Sequence, residues 1–151
     1  MPALCWLAFS SWGERIKAMS DSGATPGLQR IFPRGTVIFK EGDKGTEAYM
    51  LQQGTVRLFK TVAGRKVTIG RVWPFQVFGE LALIDDGPRM AAAMVDDDAT
   101  CLVLTKDAIR SMMDQAPPGL NTLIHSLLAT IRELGDDLAD AKAMLAEHGV
   151  E

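Results

Sequence analysis

Phe78-Gly79-Glu80-Leu81-Ala82-Leu83-Ile84-Asp85-Asp86-Gly87-Pro88-Arg89 places one carboxylate and one guanidinium on a short loop bounded by glycines. Gly79 removes a side chain where backbone has to approach a ligand. The run Glu-Leu-Ala-Leu-Ile that follows reads as one helical turn whose unpaired N–H groups can face an anion. Gly87-Pro88 turns the chain and brings Arg89 back, a charged fork suited to phosphate oxygens. A bare carboxylate is unwelcome beside a phosphate, so Glu80 calls for a pair of donors such as a ribose hydroxyl. Together these residues fit a ligand that is part sugar and part phosphate.

Outward from this loop, the pattern from Leu28 has period two and is rich in β-branched and aromatic residues. It predicts strands near 29–32, 36–39, 48–53, 55–61, 65–72, 76–78, 90–95 and 100–105. Ala63-Gly64 reads as a hairpin turn, and Asp96-Asp97-Asp98 as a turn between the last two strands. Three adjacent carboxylates on a turn point different ways and lack a second ligand cluster, so they are read as solvated rather than as a cation site. Short strands with glycine corners give a mainly β chain with added α structure, an antiparallel β-roll.

The segment 78–89 resembles the phosphate-binding cassette of the cyclic nucleotide-binding domain, the family of the catabolite activator protein, protein kinase A regulatory subunits and cyclic nucleotide-gated channels. Gly35-Thr36-Val37-Ile38-Phe39-Lys40-Glu41-Gly42-Asp43-Lys44-Gly45 and Ala48-Tyr49-Met50-Leu51-Gln52-Gln53-Gly54-Thr55-Val56-Arg57-Leu58 are similar to that family's first strands and turns, so the resemblance covers roughly residues 28 to 147. It implies a jelly-roll-like barrel followed by a short helix and a long C-terminal helix. It also implies a ligand, cAMP with cGMP as the second choice, and no other cofactor or metal. By motif position Glu80 would hold the ribose 2′-hydroxyl, Arg89 the cyclic phosphate, and the amides of Leu81 and Ala82 further phosphate oxygens, with Gly79, Met90 and Ala91 completing the ligand-binding set. Family members with a threonine near Met90-Ala91-Ala92 often prefer cGMP, and the missing hydroxyl here implies cAMP. Pro74-Phe75-Gln76-Val77 departs from the family's Gly-Asp turn, so the resemblance does not set the loop path there. Ungapped counting from Arg89 places Leu134 and Gly135 where the family has purine-contacting hydroxyls, which implies apolar cover for the base and modest selectivity.

After Thr105, an N-cap, Lys106 to Gln115 reads as a helix ended by Pro117-Pro118-Gly119. A longer helix follows over about 119–147. Leu120, Ile124, Leu127, Ile131, Leu134, Leu138, Ala141 and Leu145 recur at heptad spacing, a seam that predicts a homodimer. In a parallel pair Asp137 would face Lys142 of the partner helix. Leu123 and Leu128 flank the seam and are expected on the roll, while Gly135 weakens the helix by about 1 kcal/mol. The alternative is a helix folded wholly onto its own roll. The family resemblance adds that such a helix closes over the ligand and moves to signal.

The 151 residues can bury one core, 47% hydrophobic residues can fill it, and no apolar run reaches membrane-spanning length. A formal net charge of −3 argues against a nucleic-acid surface, so this chain is not expected to bind DNA directly. Cys5 and Cys101 are too few for a disulfide scaffold, and a reducing cytoplasm fits. Residues 1–27 read as an N-terminal extension, flexible or a short helix with Leu4, Leu7 and Ala8 on one face. A start at Met19 is the competing reading, and a signal peptide is disfavoured. The domain proper is 28–151, and nothing after it in this chain reads as a helix-turn-helix, channel segment or kinase. His125 is expected as a solvated helix residue, Met112 and Met113 as core fillers, and Trp73 as a strand-end packing residue. No nucleophile–base pair or metal-ligand spacing suggests an enzyme. The chain therefore reads as a non-catalytic receptor acting through an unidentified effector protein; the alternative is a dimerising scaffold that has lost its nucleotide.

Overall fold

The computed structural model describes residues 28–148. Expectations for the N-terminal extension, including Cys5 and the alternative start at Met19, lie outside the described residues. Among the described residues six strands, β1 (Gln29–Phe32), β2 (Val37–Phe39), β3 (Glu47–Val62), β4 (Arg65–Val72), β5 (Val77–Phe78) and β6 (Ala92–Thr105), form one antiparallel sheet. Its order is β1-β6-β3-β4, with β2 also on β6 and β5 also on β3. The rolled sheet encloses a core in which Leu51, Val56, Val95 and Cys101 are fully buried. Among the described residues three helices accompany the sheet: α1 (Leu81–Ile84), α2 (Lys106–Gln115) and α3 (Pro118–Glu147).

Two pairs of predicted strands are each one long strand. Segments 48–53 and 55–61 fuse into β3, and 90–95 and 100–105 fuse into β6, so Asp96-Asp97-Asp98 is not a turn. The reason is long-range pairing. Irregularities between Leu51 and Val56 let β3 bend while it stays bonded to β6, with Thr55 opposite Asp97. Gly54 makes the bend possible: it has φ +92°, and a Cβ there would collide with the carbonyls of Asp97 and Asp98. The three aspartates have separate partners. Asp96 pairs with Arg57 and Arg71, Asp97 accepts from Thr55 Oγ1 at 2.5 Å, and Asp98 accepts from the Arg34 N–H at 2.7 Å.

Locally encoded features formed as expected. Ala63 and Gly64 both take positive φ, as a two-residue hairpin of type I′ requires. Thr105 Oγ1 accepts from Ala108 N at 3.2 Å and caps α2. Ala48, Ala82, Leu83 and Ile109 form a second small core that fastens α1 to α2 and the start of β3. Met113 packs beside this cluster, whereas Met112 is exposed, so only one of the two methionines fills a core gap.

Helix α3 has 30 residues, about 45 Å of helix at 1.5 Å per residue. Leu128, Gly135 and Ala139 face the roll and are buried, while Leu120, Leu127, Ile131, Leu134, Leu138 and Leu145 of the heptad seam are exposed. The seam therefore does not cover its own roll. Leu123 was expected against the roll but is 63% exposed, because it falls on the seam side of the helix. Lys142 donates to Thr68 O at 2.8 Å and is thus engaged on its own roll. At Gly135 a Cβ would meet the tip of Met90, so the helix lies close to the roll there.

Candidate nucleotide-binding site

The cassette leaves β5, turns at Gly79 (φ +79°) and forms the single turn α1 behind Glu80. A Cβ at Gly79 would strike the guanidinium of Arg89 and the ring of Phe39, so glycine is required by space as well as by φ. The amides of Leu83 and Ile84 donate back to Glu80 O. No acceptor among the described residues takes the N–H of Leu81 or Ala82. These two donors are available at the positively polarised start of the turn.

Arg89 is 5% exposed. Its two Nη atoms donate to Gly79 O at 2.5 Å and Glu47 O at 2.6 Å, and its Cζ lies 4.1 Å from the centroid of the Phe39 ring. Its Nε has no partner, and among the described residues no carboxylate forms an ion pair with it. Burial lowers its pKa from the ordinary guanidinium range, opposed by the charges of Tyr49, Asp43, Glu47 and Glu80. A guanidinium stays protonated through such a shift, so the site holds a buried positive charge without a matching anion.

The loop between β2 and β3 holds this arginine from behind. Arg89 N donates to Asp43 O, and Gly42 N donates to Arg89 O, both at 2.8 Å. Gly45 admits this loop against the cassette, where a Cβ would clash with Ala82. Tyr49, Phe39 and Phe78 stack beneath, and Tyr49 donates to Glu47 Oε2 at 3.0 Å, fixing the residue whose carbonyl Arg89 uses.

A cavity of about 680 Å³ opens above the cassette. Leu58, Ile69 and Val72 line an apolar part, and Gly79, Glu80, Leu81, Ala82 and Arg89 line a polar one, with Met90 and Ala91 also in the wall. All seven predicted site residues thus meet in one cavity. Leu134 and Gly135 do not line it, since Leu134 is exposed and Gly135 abuts Met90. Trp73, 52% exposed, does not line it either.

Sequence reading missed the grip of α3 on the cassette. Arg132 places Nε 2.6 Å from Asp85 Oδ2 and an Nη 2.9 Å from Asp85 Oδ1, and its other Nη donates to Pro88 O at 3.0 Å. Lys60 bridges Met90 O, Glu41 and Asp136. Burial pushes the Asp85 carboxyl up, but Arg132 and the Gly87 N–H outweigh it and hold the pKa below its usual 3.8. The only local trace is Gly87, where a Cβ would block Arg132.

The cyclic nucleotide-binding domain model matches residues 29–116, more than half of the chain. The chain belongs to the cyclic nucleotide-binding domain family. Among curated relatives, the cyclic AMP receptor protein of Thermus thermophilus is 33% identical over 106 residues, 70% of this chain and 49% of that protein. A cAMP-dependent protein kinase regulatory subunit of Pyricularia oryzae is 32% identical over 110 residues, 73% of this chain and 28% of that one. Among solved structures, an EAL enzyme in its cAMP-bound form superposes with TM-score 0.71 at 25% identity, covering 80% of this chain and 32% of that chain. The Thermus thermophilus catabolite activator protein gives 0.64 at 29%, covering 83% and 57%. The chain spans about half or less of the length of these curated relatives.

Burial raises the half-buried Glu80 carboxyl above its ordinary 4.5, against its own backbone N–H and the Arg89 charge, which pull it down. An acid whose pKa rises on folding is penalised in the fold when ionised. That penalty is absent below the unfolded value and grows as pH rises through the folded one. Glu80→Gln should therefore raise the unfolding temperature of the ligand-free protein at neutral pH, and the difference should vanish below pH 4.5. Calorimetry that finds the variant less stable at neutral pH would show that Glu80 is not held against its preference.

Proposed function

We propose that the chain is a non-catalytic cyclic nucleotide receptor whose ligand is cAMP in preference to cGMP. The observation that carries this reading is Arg89, buried without an anion and beside a half-buried Glu80 in a mostly apolar cavity. The cyclic phosphate meets Arg89 and the N–H groups of Leu81 and Ala82. Glu80 accepts from the ribose 2′-hydroxyl, Gly79 allows the close approach, and the base lies in the apolar part with Met90 and Ala91 in the wall. Relatives bound to cAMP, and one bound to cGMP, support this ligand class. Arg89 also ties Gly79 to Glu47, which fits the alternative of a scaffold that keeps the arginine as a strut.

Since alanine at Arg89 would remove that strut as well, Arg89→Lys is the cleaner variant. It keeps the charge and loses the planar fork. Isothermal titration of the nucleotide-stripped protein with cAMP should show saturable binding, weaker for cGMP and at least about tenfold weaker in Arg89→Lys, the loss of roughly one charge-assisted hydrogen bond. Absence of heat with either nucleotide favours the scaffold.

Signalling in this reading runs from the cassette into α3, because Arg132 grips the carboxylate of Asp85 and the carbonyl next to Arg89. Ligand that tightens the cassette would shift α3 by its differential affinity for two helix positions. Arg132→Gln should leave cAMP binding within about threefold and abolish the cAMP-dependent change in hydrogen exchange along α3. An undiminished change would place the coupling elsewhere.

The exposed seam of α3 is the homodimer contact in this proposal, and an effector protein in the cytoplasm reads the helix. No described helix is long and apolar enough to cross a membrane. Leu134 is 59% exposed in one copy, so Leu134→Asp should leave the fold intact and convert a dimer to a monomer in sedimentation velocity. An unchanged sedimentation coefficient would remove the seam from assembly.

A further inference from the structure

Pro88, Arg89 and Met90 lead from the cassette towards β6, and each of their carbonyls is taken by a different part of the fold. Arg132 of α3 donates to Pro88 O at 3.0 Å, Gly42 N to Arg89 O at 2.8 Å, and Lys60 Nζ of β3 to Met90 O at 2.5 Å. Lys60 also pairs with Asp136 at 2.8 Å, so α3 meets this stretch at Arg132 and again one turn later at Asp136. Gly135 lies between these two anchors. It is buried and has ordinary helical backbone, which any residue adopts, and in the middle of a helix alanine is more favourable than glycine. Space is what asks for glycine here: a Cβ would strike Cε of Met90. The thioether of Met90 ends in that notch, and Met90 also lines the cavity. Among the described residues, none of α3 lines it. Met90 therefore stands between the helix and the ligand space, its backbone held and its unbranched side chain free to change shape.

From the notch and the two anchors beside it, we infer that Gly135 is a positioning residue of the nucleotide site: by lacking a side chain it keeps the Met90 methyl group out of the cavity, so α3 sets the room for the ligand through one thioether. This rests on the cyclic nucleotide reading above and adds to it the residue by which the helix tunes affinity. A side chain at position 135 has to displace the methyl group. With all three carbonyls of 88–90 tied, the open direction for it is the cavity, and the displaced tip takes space that the nucleotide needs.

The test titrates cAMP into nucleotide-stripped wild type, Gly135→Ala, Met90→Ala and the double variant, each checked for folding by its thermal transition, and follows the methionine methyl resonances. Gly135→Ala should bind cAMP about tenfold more weakly than wild type, whereas in the Met90→Ala background the same change should alter affinity by less than about twofold. The Met90 resonance, assigned by its loss in Met90→Ala, should move in Gly135→Ala before ligand is added, and should move with cAMP in wild type. A gain in helix preference alone would do neither. Gly135→Ala with wild-type affinity, a loss that persists unchanged without the Met90 side chain, or a Met90 resonance indifferent to saturating cAMP overturns the role of Gly135 and leaves the receptor reading standing. The wild-type resonance decides the question should Gly135→Ala fail to fold. Wild type that binds no cAMP overturns the receptor reading, and this inference with it.

Discussion

The arrangement of this protein depends on keeping one guanidinium in a nearly closed place with no carboxylate ion-paired to it among the described residues. Placing a charge where water is excluded costs several kcal/mol unless hydrogen bonds and an opposite charge compensate. Here the compensation is partial: two backbone carbonyls, one aromatic face and, among the described residues, no carboxylate in ion-pair contact. Those partners come from the loop after β5, the start of β3 and the end of β2, so the fold must bring three distant stretches to one point. The pairing of β2 with β6, β5 with β3 and β6 with β3 does this. Gly45 and Gly79 clear the space that side chains would otherwise fill.

The same segment that carries Arg89 is held from its other side by α3. Arg132 takes both oxygens of Asp85 together with Pro88 O, and Lys60 takes Met90 O while pairing with Asp136. A change in the cassette thus meets α3 through charged forks rather than through a broad apolar interface. Contacts of that kind exchange partners at modest cost, which suits a helix with two positions better than close-packed side chains do. The apolar seam faces away from these contacts, so the seam and the grip on the cassette use different sides of one helix.

What the sequence disclosed follows from how local each signal is. The cassette turn, the Thr105 cap and the Ala63-Gly64 hairpin are decided by neighbouring residues, and each formed as read. Asp96-Asp97-Asp98 misled because turn chemistry was overruled by the pairing of β6 with a β3 bent at Gly54. Heptad spacing separated the seam from the roll-facing stripe, yet it did not distinguish Leu123 from Leu128, which lie on opposite sides of the boundary. That the seven cassette-centred residues share one cavity wall was legible because one motif holds them. Phe39 beneath Arg89 and Arg132 on Asp85 were not, since they join stretches 50 and 47 residues apart with no periodicity between them.

The central claim is that Arg89 is a preset receptor for an anion, and its unpartnered Nε–H reports on this directly. In protein labelled at arginine nitrogen, the Nε–H resonance of Arg89, assigned by its loss in Arg89→Lys, should be followed as cAMP is added. The account predicts a saturable shift together with slower exchange of that proton. A resonance that stays in place at saturating cAMP would mean that the guanidinium serves the fold alone.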